Sequence, residues 1–339
     1  MDMTIFKYHS LNEFLVKMSA VLLKEGVKRE TRGKVCYELP EPIIIQISNP
    51  CARIITVPER EWNKYLPFAE SLWLAAGRND IEMSSYYCNN LKQFSDDGIW
   101  MRAGYGPRFR RFNGENIDYQ IGYTQNYKNT QDVIDQFNYV IESFKRDAFT
   151  RQAVIEIGDP VKDCFDNGII KESKDFPCTR SIQFLRDVNG KLNLYVHMRS
   201  NDFLWGATGI NMFNNMFMLE YFTGILGYEI GSYYHITNNL HYYEEFKSKI
   251  ESFSQVSSFS NESYVYNSIF ESLTSFDQQL KKLEEWEQNT RTGASVNFFD
   301  AENEFFHDWA LALYSKKHTR NSLKFYNPSL NHLFLTGEY

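Results

Sequence analysis

Several absences narrow this sequence before any motif is read. No run of its 339 residues approaches the eighteen or so consecutive apolar positions that a membrane-crossing helix needs, so no membrane partner is expected. The N-terminus lacks the basic start, apolar centre and small-residue cleavage site of a secretory leader. Positive charge is not in excess: 36 Lys and Arg stand against 43 Asp and Glu, a formal charge of −7. That balance excludes general attraction to nucleic acid and leaves an anionic substrate only a local Arg cluster. Cysteine is scarce, with five residues, no CxxC pair and no zinc spacing, so no metal is expected. The odd count of thiols points to a reducing compartment, the cytoplasm. No internal repeat is visible.

What is present is an ordinary globular balance, 43% hydrophobic and 23% charged. The aromatic share is high, with 27 Phe and 22 Tyr, which suggests a thick core or a subunit interface. Ser10 and Glu13 form a capping-box pattern ahead of Leu11, Phe14, Leu15, Met18 and Leu22, predicting a helix over 10–25 that stops at Gly26. Further helices are expected over 61–76, 131–146, 211–226, 242–251, 276–288 and 301–316. Strands are expected within 34–57, at 153–157 and at 229–236, and a loop over 94–120. The fold class is α+β, a mixed sheet packed against helices. Residues 1–251 are expected to form one domain, and 252–339 a helical C-terminal extension that could pack on the same domain.

The informative stretch is the middle. Ser181–Arg186 and Lys191–Met198 are β-prone runs around Asp187-Val188-Asn189-Gly190, which predicts a hairpin. A two-residue loop at Val188-Asn189 sets Cys178 opposite Arg199; a loop at Asn189-Gly190 sets it opposite Asn201 with Arg199 diagonal. Either register brings thiol and guanidinium within about 5–8 Å at Cβ. A nearby Arg lowers a thiol's pKa and so favours the nucleophilic thiolate.

Asp175-Phe-Pro-Cys-Thr-Arg-Ser-Ile-Gln183, Met198-Arg-Ser-Asn-Asp202, Gly206, Asn211 and Leu240-His-Tyr-Tyr243 occur in order at separations that resemble the thymidylate synthase family. Its phage and bacterial branch, which includes deoxycytidylate hydroxymethylases, is the nearest flavour. The resemblance is firm over 145–245, weaker over 28–144, and does not extend past about 252. It implies one-carbon transfer from 5,10-methylenetetrahydrofolate to C5 of a pyrimidine nucleoside monophosphate. By resemblance, Cys178 is the nucleophile that adds to C6, with Gln183 in its neighbourhood. Arg199 and Ser200 look like phosphate ligands, a guanidinium fork suiting a phosphate dianion. Asp202 resembles the Asp that contacts the pyrimidine and orders the folate side. His241 and Tyr243 match the pair that bonds the sugar hydroxyl. Glu70, in Ala-Glu-Ser-Leu-Trp73, resembles the catalytic Glu that orders water, and Tyr105, in Gly-Tyr-Gly-Pro, the Tyr that serves proton removal from C5. Arg151 resembles an Arg reaching a partner's phosphate site, which implies a homodimer, and Arg32 a mobile phosphate-binding Arg.

Three departures bear on the product. Thr179 stands where common thymidylate synthases have His, as in the hydroxymethylase branch; Gln152 replaces the second Arg of an Arg-Arg pair; and no folate-closing segment is recognisable after 252. Asn211 is the base reader that favours uracil, but the spacing from Gly206 is one residue longer than usual, so Asn214 and Asn215 remain alternatives. The first expectation is dUMP to dTMP, the second hydroxymethylation of dCMP or CMP, and a third an inactive nucleotide-binding relative. Arg108, Arg110 and Arg111 read as a solvated basic run without a role. His235 reads as a satisfied strand residue, and the Met212–Leu226 stripe as core.

Overall fold

Alternating β-branched positions build the central layer. In Ile43–Ile47 the residues Ile43, Ile45 and Ile47 face inward and are buried, the period of a strand with one covered face. The computed structural model describes residues 5–31, 33–112, 133–294, 297–318 and 324–335. Within them a six-stranded mixed sheet runs in the order Ile5–Tyr8, Ile43–Ile47, Ile230–Thr237, Leu192–Met198, Thr179–Arg186, Val154–Glu156. A second sheet joins Asn201–Asp202, Leu240–Tyr243, Lys34–Glu38 and Val27–Thr31.

The expected hairpin forms, but with neither two-residue loop. Arg186 pairs with Leu192, and Gly190 adopts φ +85°, so Val188-Asn189-Gly190 make a three-residue loop closed by a left-handed glycine. Between Ser181 and Thr179 the register slips by one residue. That bulge brings Cys178 beside Arg199, whose N–H donates to the Cys178 carbonyl at 2.9 Å.

Helix Leu11–Glu25 starts at the N-cap Ser10, whose side chain accepts from Glu13 N–H. The helix expected over 61–76 begins only at Leu66, after a turn that Asn63 caps by accepting from Tyr65 and Leu66 N–H. Of the loop expected over 94–120, residues 94–112 contain a short helix, Gly106–Arg110, and 113–120 lie outside the described residues; the 242–251 segment opens as strand Leu240–Tyr243, with helix only at Lys247–Ser254. Helices Ile81–Tyr87 and Pro328–Leu335 were not expected from periodicity.

Met212–Leu226 is the central helix, buried from Met212 to Ile225. On one side Phe222 meets Phe184 of the sheet with ring centroids 4.4 Å apart. On the other, Phe217 stacks on Phe305 and Tyr221 on Phe276, so helices Leu273–Thr292 and Glu304–Tyr314 lie against the same core. Trp309 is fully buried and its indole N–H donates to the Phe68 carbonyl at 2.8 Å.

The basic run around Arg108 is not a solvated face. Arg108 is buried against Asp163 at 2.7 Å, and Arg110 is buried between Asp135 at 3.1 Å and Asp277 at 2.7 Å. These charges leave water only because each guanidinium meets carboxylates from distant segments. His235 is satisfied, between Asn201 at 2.9 Å and the Tyr233 hydroxyl at 2.8 Å.

Candidate active site

The strand that starts at Thr179 delivers Cys178 to the edge of a pocket of about 250 Å³. Glu70, Tyr105 and Asn211 line the same space, and Trp73, Leu91, Phe94 and Met101 give it an apolar wall. Each polar group is held by a separate local device. Glu70 comes from helix Leu66–Ala75, and its Oε1 accepts from Asn214 Nδ2 at 3.0 Å. Asn214 is itself fixed by Ser71, which donates to its Oδ1 at 2.9 Å. Burial, then the charge of Asp175, pushes the Glu70 carboxyl up to about 8.

Tyr105 is positioned by its neighbour Gly106, which packs so tightly that a Cβ there would lie 2.3 Å from the Arg78 carbonyl oxygen. The Tyr105 hydroxyl accepts from Cys178 N–H at 3.3 Å and Thr179 N–H at 3.1 Å, tying the phenol to the backbone at Cys178. Burial, and the charge a thiolate at Cys178 would carry, push this phenol up to about 12. The Cys178 thiol itself is half-buried and lies 3.8 Å from the Phe176 carbonyl.

Arg199 stays beside Cys178 in an unexpected way. Its Nε donates to Pro177 O and its Nη2 to Phe176 O, each at 3.0 Å, and it lies over the Phe176 ring. The guanidinium therefore clamps the turn that presents the thiol. Ser200 and His241 meet at one amide: Ser200 donates to Asn239 Oδ1 at 3.1 Å, and His241 Nδ1 lies 2.7 Å from the same oxygen. Burial holds His241 down to about 4, so the ring is neutral, with Nδ1–H donating and Nε2 left as an acceptor. Tyr243 stands edge-on to His241 at 5.4 Å.

Asp202 pairs in register with His241 and caps the next turn, its Oδ1 accepting from Trp205 N–H at 2.5 Å. Its Oδ2 is buried without a hydrogen-bond partner among the described residues, and burial pushes the carboxyl up to about 6. The backbone N–H groups of Trp205, Leu204 and Gly206 oppose that rise, as expected of a carboxyl that caps a turn.

The turn after Asp202 disposes of the extra residue before Asn211. Phe203–Asn211 is a π-helix, whose wider turn takes up one residue more than an α-turn. Asn211 then lines the pocket, its Nδ2 donating to Asn201 Oδ1 at 3.3 Å, while Asn214 serves Glu70 and Asn215 donates to Tyr233.

Not all candidates converge: Arg199, Ser200, Asp202, His241 and Tyr243 are not among the residues that line this pocket. Gln183 sits five residues along the strand, donating to Arg151 O at 3.0 Å, and Arg151 is exposed, outside the pocket lining. Arg32 lies outside the described residues. Residues that sequence reasoning left without a role include Asn239 and Asp175, and Asn214, an alternative base reader by sequence, instead bonds Glu70; only Asp175, three positions before Cys178, carried a signal in its spacing. Among the described residues no cluster of His, Cys, Asp or Glu could hold a metal ion, and no helix is long and apolar enough to cross a membrane.

A Cys at the start of a sheet strand, a carboxyl on helix Leu66–Ala75 and an amide at the end of the π-turn before the central helix thus share one pocket. The chain belongs to the thymidylate synthase family, whose model, "Thymidylate synthase", matches residues 13–296. It is 40% identical over 233 residues to a deoxyuridylate hydroxymethyltransferase of Bacillus phage SP01, covering 68% of this chain and 57% of that protein. A protein of the same name from Pseudomonas phage M6 is 29% identical over 248 residues, covering 73% of this chain and 64% of that one. The chain thus spans less than two thirds of the length of these relatives. The fold matches thermostable thymidylate synthase A from Bacillus subtilis with a TM-score of 0.57 at 18% identity, over 74% of this chain and 85% of that one.

Proposed function

We propose that this chain transfers a one-carbon unit to C5 of dUMP and leaves it as a hydroxymethyl group. The observation that carries the reading is the shared pocket of Cys178, Glu70, Tyr105 and Asn211. The uracil assignment follows Asn211, whose amide offers both a donor and an acceptor to N3–H and O4. The hydroxymethyl assignment follows Thr179 and the phage relatives. The reading thus joins the substrate of the first sequence expectation to the product of the second.

Cys178 adds as thiolate to C6, and C5 becomes a carbon nucleophile. Glu70, protonated at neutral pH, donates toward O4, where charge develops. Tyr105 holds the Cys178 amide and, staying protonated, presents its O–H as a donor. His241 Nε2 and Tyr243 meet the sugar hydroxyl, and Ser200 with Arg199 lies toward the phosphate. A methylenetetrahydrofolate would supply carbon at the oxidation level of formaldehyde. The Trp73–Phe94 wall fits its aromatic rings. We further assign Arg151 to a partner's phosphate in a homodimer, and the free thiols to the cytoplasm.

The test is to incubate the protein with dUMP, dCMP, UMP or CMP and methylenetetrahydrofolate, and to weigh the products. A hydroxymethyl increment on dUMP without dihydrofolate is expected. A methyl increment with dihydrofolate, or a product from dCMP alone, refutes the reading.

A further inference from the structure

The pocket holds a second carboxyl group that the mechanism above does not use. Asp175 lines the same space as Cys178, Glu70, Tyr105 and Asn211. Its Oδ2 accepts from the Ala103 backbone N–H at 2.8 Å, which fixes the carboxyl against the segment carrying Tyr105. No other hydrogen bond reaches this side chain among the described residues, so Oδ1 is left for a small ligand.

The two carboxyl groups differ in surroundings. Glu70 is pushed up to about 8 by burial and by Asp175. Asp175 is pushed up only to about 6: burial and Asp96 raise it, while Ala103 N–H, Arg108 and Arg102 lower it. Near neutral pH one is an acid and the other a base, and unlike carboxyls sharing a site divide those roles.

We propose that Asp175 is the general base for the water that captures the transferred carbon, while Glu70 remains the acid of the same pocket. The inference rests on the hydroxymethyl reading. Once the carbon is a methylene doubly bonded to C5, the water oxygen bonds to it and the water's proton passes to Asp175. The electron pair of the double bond moves through C5 onto O4, where Glu70 donates a hydrogen bond. That pair then returns to form the C5–C6 double bond, and the thiolate of Cys178 leaves with its own pair. No oxidant or reductant is consumed. Water here takes the place that a hydride occupies in methyl transfer.

The experiment compares wild type, D175N and D175E with dUMP and methylenetetrahydrofolate. D175N keeps an acceptor for Ala103 N–H and removes only the base. Turnover of D175N falls about 10²–10⁴-fold, the usual loss for a missing general base. Intact-mass analysis of quenched protein shows nucleotide plus the extra carbon accumulating on Cys178, and added 2-mercaptoethanol diverts that carbon to a thioether. D175E regains part of the turnover, and dUMP affinity is unchanged in both. Turnover of D175N within about threefold of wild type, or its loss without the adduct, overturns the proposal while the hydroxymethyl reading stands. A methyl product from wild type overturns both. If D175N fails to bind dUMP, D175S with added formate decides: rescue supports the base, and no rescue overturns it.

Discussion

Glu70 offers a test in which stability and activity move in opposite directions. Its carboxyl is raised from 4.5 to about 8, mainly by burial, so the folded chain holds a proton that the unfolded chain releases. Between these values the native state binds more protons than the unfolded state, and stability falls as pH rises. The loss begins near pH 4.5 and is complete above about pH 8. Each tenfold shift in proton affinity is about 1.4 kcal/mol, so the full effect is on the order of 5 kcal/mol. The pocket admits water, which screens the charge, and about half of that is expected. E70Q mimics the protonated form and keeps an oxygen for Asn214 Nδ2. In urea titrations E70Q should match wild type near pH 5 and exceed it by about 2–3 kcal/mol near pH 9. Its turnover should drop by about 10²-fold or more, because an amide is a weaker donor than a carboxylic acid to the charge that develops on O4. A difference between variant and wild type that is the same at both pH values would show that Glu70 is not held protonated, and the acid role would fall.

Four further outcomes follow from the same geometry. C178S should abolish turnover and leave no covalent nucleotide in a denatured-protein mass spectrum, with dUMP affinity kept within about threefold, since the proposed role of the thiol is covalent addition rather than binding. Y105F strips the acceptor shared by Cys178 and Thr179 N–H, so it should lower unfolding free energy by about 1–3 kcal/mol and reduce kcat more than it raises KM. N211D should shift the dCMP-to-dUMP product ratio in direct competition by at least about tenfold, because a carboxyl suits the cytosine amino group. G190A forces a Cβ onto a residue at φ +85° and should destabilise the hairpin by about 1–2 kcal/mol in urea titration without changing product identity.

What could be read from the sequence was local. The turn tetrapeptide, the Pro-Cys-Thr start of the strand and the Ser10 cap each act within a few residues, and each forms where the pattern put it. Arg108 and Arg110 show the opposite case. Their partners Asp163 and Asp277 lie 55 and 167 residues away, so nothing near the arginines distinguishes a buried ion pair from a solvated run. Asn214 is hidden from sequence for the same reason, reaching Glu70 across 144 residues. Arg199 is an intermediate case. Strand spacing brought it next to Cys178, but spacing cannot say that its fork is taken up by the carbonyls of Phe176 and Pro177. Asp175 stood in plain view within the motif; its role depends on which wall of the pocket its carboxyl joins.

The extra residue before Asn211 shows why a single insertion need not disturb a site. In an α-helix, one added residue turns every later side chain by about 100°. Here the helix beyond Asn211 is packed on all sides, against the sheet through Phe222 and against the C-terminal helices through Phe217 and Tyr221. Such a helix cannot rotate without breaking those contacts, so the surplus is taken up before it, in the π-turn Phe203–Asn211 that Asp202 caps. Asn211 consequently faces the pocket while Asn214, less than one turn later, still supports Glu70. The amides of Asn211 and Asn214 are thereby set by the junction of the π-turn with the rigid helix that follows it.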